Sequence, residues 1–282
     1  MEKFKPWLSF RPRYLKPMPP SVGEPRTGLS MGQHCEEMVK EWKVSRREQD
    51  ELALASHRNA AAAWQSGFFR DLVVPFNNLE KDNNVRGDTS LEKLSQLRTA
   101  FDRSPAGTLT AGNSSPLTDG AACVLLGSED WARARGLPVL AYLTYSESAA
   151  VDFTGMAGPK EGMLLAPAYA VPRMLDRAGI RLQDFDLYEI HEAFAGQVLC
   201  TLKAWESDEW CRKRLNRNSL GSIEKQKLNP RGSSVAIGHP FAATGARVVA
   251  TLAKQLAERG SGRGLISICA AGGQGVTAIL ER

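Results

Sequence analysis

Phe185-Asp186-Leu187-Tyr188-Glu189-Ile190, followed without a gap by His191-Glu192-Ala193-Phe194-Ala195 and an apolar run to Trp205, is the stretch on which the fold reading turns. Its first part reads as a buried strand and its last part as a helix from about Ala193, so a strand end, a chemically loaded turn and a helix start coincide. The alternation recurs on both sides. Val139–Tyr145 predicts a strand, Ala168–Ala178 a helix stopped by Gly179, Thr244–Glu258 an amphipathic helix, Gly264–Ile268 a strand and Val276–Glu281 another, with a further strand allowed within 231–237. Residues 206–228 read as a charged excursion. Buried strands alternating with helices spell α/β layers.

Working toward the N-terminus, Ala121–Leu126 reads as one more buried strand, and Ser128–Arg135 as a helix closed by Gly136. Ala111-Gly112-Asn113-Ser114-Ser115-Pro116 is turn-rich. Two helices are expected earlier. One spans Met31–Trp42. The other starts at Ser45, where Ser45-Arg46-Arg47-Glu48 fits a capping box, and runs to about Gln65, with Gly67 placed for a left-handed cap. Residues 70–104 are polar and irregular. The prolines between Pro6 and Pro25 prevent regular helix and suggest an extended strap.

Composition narrows the function classes. The 282 residues are 43% hydrophobic and 24% charged, ordinary values for a globular chain. No apolar run of 18 residues exists, so no membrane-spanning helix is expected. Five cysteines without a CxxC pair argue against a disulfide framework and for a reducing interior. The net charge is +5, of which residues 1–26 carry +4, so the body has no basic stripe for nucleic acid. No HExxH or paired Cys/His spacing points to a metal.

Three clusters carry chemistry. His191-Glu192-Ala193-Phe194-Ala195 sits at the carboxyl end of a strand, where sites in open α/β sheets gather. Gly238-His239-Pro240 holds a histidine between a flexible and a rigid residue. Cys269-Ala270-Ala271-Gly272-Gly273-Gln274-Gly275 places a thiol at a strand end before a glycine-rich turn, whose backbone N–H groups can face an oxyanion. Taken singly, a histidine before proline and a strand-end cysteine are more often structural, and Glu192 reads as a helix N-terminal charge.

In this order, HEAFA (191–195), NPRGSSVAIGHPFAATGAR (229–247) and CAAGGQG (269–275) resemble the thiolase superfamily, in particular its fatty-acid-oxidation branch of 3-ketoacyl-CoA thiolases and β-subunits of multienzyme complexes. The likeness extends through LSMGQHCEEM (29–38), VSRREQDELALASHRNAAAAW (44–64), VRGDTSLEKL (85–94) and TAGNSSPLTDGAA (110–122). It implies an α/β thiolase-like layered fold (αβαβα), with residues 1–103 as a loop domain, 104–136 as a remnant of the N-terminal domain and 137–282 as the C-terminal domain. The family's acyl-accepting cysteine lies in a first half expected to be mostly missing here, and Cys35, Cys123, Cys200 and Cys211 sit in no comparable motif.

The resemblance also implies roles. His239 takes the proton of the nucleophile and donates to the thioester oxygen of the acetyl-CoA enolate, Cys269 exchanges the α-carbon proton, and His191 supports the same oxyanion hole. Ala271 N–H serves a second hole, where many relatives carry glycine. Ser115 and Ala111 meet the pantetheine arm, Arg86 the anionic end of CoA, and Met31 and Phe101 wall the tunnel. Coenzyme A enters as substrate, with no cofactor and no metal. The implied activity is thiolytic cleavage of 3-ketoacyl-CoA in β-oxidation, inactive in this chain alone. A silent acyl-CoA-binding or partner-binding subunit and an acetoacetyl-CoA thiolase are the alternatives. Implied partners are a second copy of the chain in a homo-oligomer and a hydratase/dehydrogenase α-subunit, with no nucleic acid. The implied location is a bacterial cytoplasm first and a mitochondrion second.

Overall fold

The computed structural model describes residue 11 and residues 22–282, so nearly all of the expected proline strap lies outside the described residues. The first helix, α1 (Met31–Glu41), starts at Ser30, whose side chain and that of Gln33 cap each other's backbone. Helix α2 (Arg46–Gln65) carries the expected capping box. Glu48 N donates to Ser45 Oγ at 3.2 Å, and Ser45 N donates to the Glu48 carboxylate at 2.6 Å. Gly67, at φ +79°, follows it in the left-handed region. Two short helices, α3 (Leu91–Ser95) and α4 (Glu129–Ala134), precede the sheet.

The sheet is built by β1 (Tyr142–Ala150), β2 (Leu187–Ile190), β3 (Arg263–Ala270) and β4 (Gln274–Glu281), in the spatial order β1-β4-β3-β2. β4 runs antiparallel to β1 and β3, while β2 lies parallel to β3. Helices α5 (Pro167–Ala178) and α6 (Ala195–Glu206) lie on the side of the core shared by Leu265, Cys269 and Ile279. Helix α9 (Thr244–Arg259) covers the other face, setting Val248, Leu252 and Leu256 against Ile266, Ala278 and Leu280. On β3 and β4 this is the period-2 segregation of strands buried on both faces, while β1 is largely exposed. The α1 and α2 helices pack on α6 as a further layer. Their close approach needs Gly196, where a Cβ would come within 2.5 Å of Val39.

Three expectations are corrected. The expected strand 121–126 is irregular chain, with Leu125 74% and Leu126 70% exposed and Cys123 exposed as well. A run of apolar residues becomes a strand only when another strand pairs with it, and none of the four does. The segment 231–237 contains no strand. It holds a helical turn, α8 (Ser234–Ile237), closed by bonds from Ile237 N and Gly238 N to Ser233 O and Ser234 O. The charged excursion instead contains helix α7 (Asp208–Leu215), because Trp210 and Cys211 bury one side of it, Trp210 edge-on to Trp42 and Tyr169.

The exposure of the 121–128 segment makes a direct forecast. The double substitution Leu125→Ser/Leu126→Ser should leave the denaturation midpoint within about 0.5 kcal/mol and reduce self-association in light scattering. A loss of more than about 1 kcal/mol would mean that these side chains are buried in solution.

Candidate active site

The site begins with a bracket rather than a catalytic group. Glu192 is buried, and its carboxylate accepts from Ser56 Oγ at 2.7 Å, Asn229 Nδ2 at 2.7 Å and Val235 N at 3.2 Å. Asn229, in a left-handed conformation at φ +46°, also pairs with the end of β2, accepting from Ile190 N at 2.8 Å and donating to Ile190 O at 2.9 Å. Ser233 N closes the ring by donating to Ser56 Oγ at 3.0 Å. The turn after β2, the 229–235 segment and α2 are thus fastened at one point. Burial raises the Glu192 pKa against these hydrogen bonds, which favour the charged form. Its duty is to hold three segments, beyond the helix-terminal charge read from sequence.

That fastening sets two imidazoles side by side. His191 N continues the β2–β3 ladder by donating to Ser267 O at 2.9 Å, which fixes the backbone of the first ring. The second follows Gly238, whose φ of +110° and a hypothetical Cβ 2.6 Å from Thr118 Cγ2 leave no room for a side chain. His239 N then donates to Pro116 O at 3.0 Å. The two ring centroids are 4.2 Å apart and the planes inclined at 46°. His191 Nδ1 lies 2.7 Å from Ser234 Oγ, while its Nε2 is buried without a hydrogen-bond partner among the described residues. His239 Nδ1 lies 2.8 Å from Thr244 Oγ1. Burial, helped by Arg247, brings the His239 pKa down to about 4. Burial, with His239 and Arg247 adding to it, holds His191 well below the ordinary histidine value. Both rings are neutral at pH 7, the state in which an imidazole can serve as base or as neutral donor.

Cys269 shares its face of β3 with Ser267, the register partner of Ile190 and the residue whose carbonyl accepts from His191 N. Burial pushes its thiol up to about 12, so it is a protonated acid at neutral pH. No hydrogen bond joins Cys269 Sγ to either ring among the described residues. The turn after it depends on Gly273, at φ +78°, where a Cβ would meet the Phe153 ring at 2.7 Å and Val151 O at 2.8 Å. Ala271, at the exposed tip, is not among the positive-φ residues, so its backbone accommodates the methyl group.

The remaining expected residues divide. Ser115 N donates to Ala193 O at 3.0 Å and Ala195 N to Asn113 O at 2.9 Å, which lays the 113–115 stretch against HEAFA, with Ala111 exposed at the preceding turn. Phe101 lies over Gly32, where a Cβ would come within 2.3 Å of the ring, and meets Phe194 edge-on at 5.6 Å. Met31, next to Gly32 in sequence, completes an apolar wall leading to the HEAFA turn. Arg86 is not brought to the histidine pair. It is exposed beside α2, its N–H donating to buried His57 Nδ1 at 3.1 Å. Ser234 and Thr244, whose hydroxyls meet the two rings, were not singled out from sequence. The two hydroxyls stand five positions before and after His239, a spacing with no signature of its own.

Known proteins resemble the chain over most of its length. A family model described as "Thiolase, N-terminal domain" matches residues 15–130, and one described as "Thiolase, C-terminal domain" matches residues 145–282. A 3-ketoacyl-CoA thiolase of Pectobacterium carotovorum is 49% identical over 99% of this chain and 64% of that protein. A 3-ketoacyl-CoA thiolase of Yersinia pestis is 47% identical over the same shares, 99% and 64%. The crystal structure of the Bacillus anthracis acetyl-CoA acetyltransferase matches 92% of this chain and 62% of its own with a TM-score of 0.77 at 35% identity. That of human mitochondrial 3-ketoacyl-CoA thiolase matches 92% and 61% with a TM-score of 0.75 at 29% identity. The chain spans about 64% of the length of the curated relatives it matches.

The bracket and the rings each generate a test. Glu192→Ala leaves three buried donors unpaired and should cost upward of about 3 kcal/mol in chemical denaturation, with Glu192→Gln intermediate. Equal stability of all three proteins would deny the bracket its role. For His239, the folded pKa of about 4 lies below the ordinary value of 6.5, so the native state binds fewer protons than the unfolded chain between them. Stability should therefore fall with pH from about 6.5 to about 4, and less steeply in His239→Gln than in the parent. Parallel pH profiles would place the ring in water.

Proposed function

The chain belongs to the thiolase family, and on that premise we propose that its histidine pair and Cys269 form the acid/base half of a centre for thiolytic cleavage of 3-ketoacyl-CoA. The observation that carries the reading is the 4.2 Å pairing of two neutral imidazoles, one of them with a buried and unpartnered Nε2. In thiolysis a cysteine thiolate adds to the keto carbon, the bond to the α-carbon breaks, and acetyl-CoA leaves as an enolate that must gain a proton. The acyl group then passes from the cysteine to incoming CoA.

Each residue has a part in that sequence. His239 acts through Nε2, with Nδ1–H donating to Thr244 Oγ1, whose own proton goes to Pro240 O at 3.2 Å. That leaves a lone pair on Nε2 to take the proton of the nucleophile. His191 Nε2 faces the enolate oxygen. The Cys269 thiol, raised to about 12, protonates the α-carbon of the enolate and takes the proton back in the reverse direction. Ala271 N–H faces the oxyanion of the tetrahedral adduct at the keto carbon. Ser115 and Ala111, beside HEAFA, meet the pantetheine arm, and Met31, Phe101 and Phe194 wall its approach. Arg86, on the surface of the loop region, meets the phosphates.

The nucleophile comes from outside these 282 residues. Burial raises the thiols of Cys35, Cys200 and Cys211, which disfavours the reactive thiolate. Cys123 is exposed, and no base bonds to it among the described residues. The names carried by the relatives and the HEAFA form support a place in fatty-acid β-oxidation.

Proton exchange separates the two halves of the chemistry. The chain in deuterated buffer should exchange the methyl protons of acetyl-CoA above background, as followed by NMR, and Cys269→Ala should lose the excess. It should show no thiolysis of acetoacetyl-CoA, since loss of a covalent nucleophile costs several orders of magnitude. Thiolysis sensitive to cysteine alkylation in the isolated chain would overturn the assignment of the nucleophile. Exchange no faster than buffer would overturn the acid/base site.

A further inference from the structure

Behind His191 lies a chain of two polar groups that the reaction does not itself require. Arg247 Nη2 donates to Ser234 Oγ at 2.7 Å, and Ser234 Oγ is 2.7 Å from His191 Nδ1. A guanidinium has no acceptor, so the first bond runs in one direction. The serine hydroxyl then has one proton to place, and His191 Nδ1 is its only acceptor partner among the described residues. A ring that accepts at Nδ1 must, when neutral, carry its proton on Nε2, and Nε2 is the atom left buried and unpartnered.

We infer that Arg247 and Ser234 are positioning residues that hold His191 in its Nε2–H tautomer, so that the ring offers a fixed hydrogen-bond donor to a carbonyl or enolate oxygen. The nearby positive charge of Arg247 and the burial of the ring both oppose a second proton, so the donor is neutral. An imidazole free to choose would spend part of its time as the Nδ1–H form, with a lone pair aimed at the oxygen. The relay removes that repulsive state. It also makes the two histidines unlike: His191 is a donor at Nε2, and His239, with Thr244 at its Nδ1, is an acceptor there. The use of the donor rests on the thiolase reading, whereas the tautomer is a property of the chain itself.

The experiment reads the tautomer directly. The full chain is labelled with 15N-histidine, and long-range 1H–15N spectra are taken at pH 7, with His191→Asn identifying its resonances among those of the four histidines. The expected pattern is a protonated Nε2 and an unprotonated Nδ1 for His191. Ser234→Ala should move the ring toward a mixture of tautomers, while Ser234→Thr, which keeps the hydroxyl, should retain the parent pattern. The same Ser234→Ala protein should lose about 10-fold or more of the acetyl-CoA exchange rate, with a smaller change in half-saturation. A protonated Nδ1 in the parent chain would overturn the relay whatever the variants do. An unchanged pattern in Ser234→Ala would overturn it as well. Nε2–H in a chain that exchanges no acetyl-CoA protons would leave the relay standing and reject the thiolase reading instead.

Discussion

The Glu192 carboxylate, buried and bonded to Ser56, Asn229 and the backbone of Val235, is the interaction on which the rest of the site depends. These partners come from α2, from the segment before α8 and from α8 itself, parts of the chain that share no local structure. A buried carboxylate is costly to desolvate, and only a full set of donors makes the arrangement stable. Here the set is complete. The consequence is geometric: the 229–235 segment is tied to the end of β2, and the chain emerging from α8, held by His239 N on Pro116 O, brings His239 over His191.

Function then follows from what surrounds each ring. The two histidines are in ring contact and share a shift to neutrality, yet their Nδ1 atoms face hydroxyls in different circumstances. Ser234 receives a bond from a guanidinium, while Thr244 can give its proton to the Pro240 carbonyl. Identical side chains are differentiated by their supports, as in other sites where the environment divides acid from base. Cys269, which we assign to the same chemistry, is kept protonated by burial rather than activated as a nucleophile.

Much of this was legible from sequence where the cause is local. The Ser45/Glu48 capping box, the strand–HEAFA–helix junction and the 269–275 turn declare themselves because neighbouring residues determine them. The 121–126 stretch misled because its apolar pattern is that of a strand while its conformation depends on a pairing partner. The 231–237 segment misled for the opposite reason: Glu192 and Ser56, distant in sequence, draw it into a helical turn. His191, His239 and Cys269 stood out as reactive residues at strand ends and turns. Ser234, Arg247 and Thr244 did not, because a hydroxyl or guanidinium acquires its role only when the fold sets it beside a ring.

The most direct measurement is an experimental structure of the chain with acetyl-CoA bound. The thioester oxygen should lie at about 2.7–3.1 Å from His191 Nε2, with His239 on its other side and the acetyl methyl group facing Cys269. A thioester seated elsewhere, or an oxygen that His191 Nε2 does not approach, would contradict the claim that His191 is placed to hold a developing negative charge.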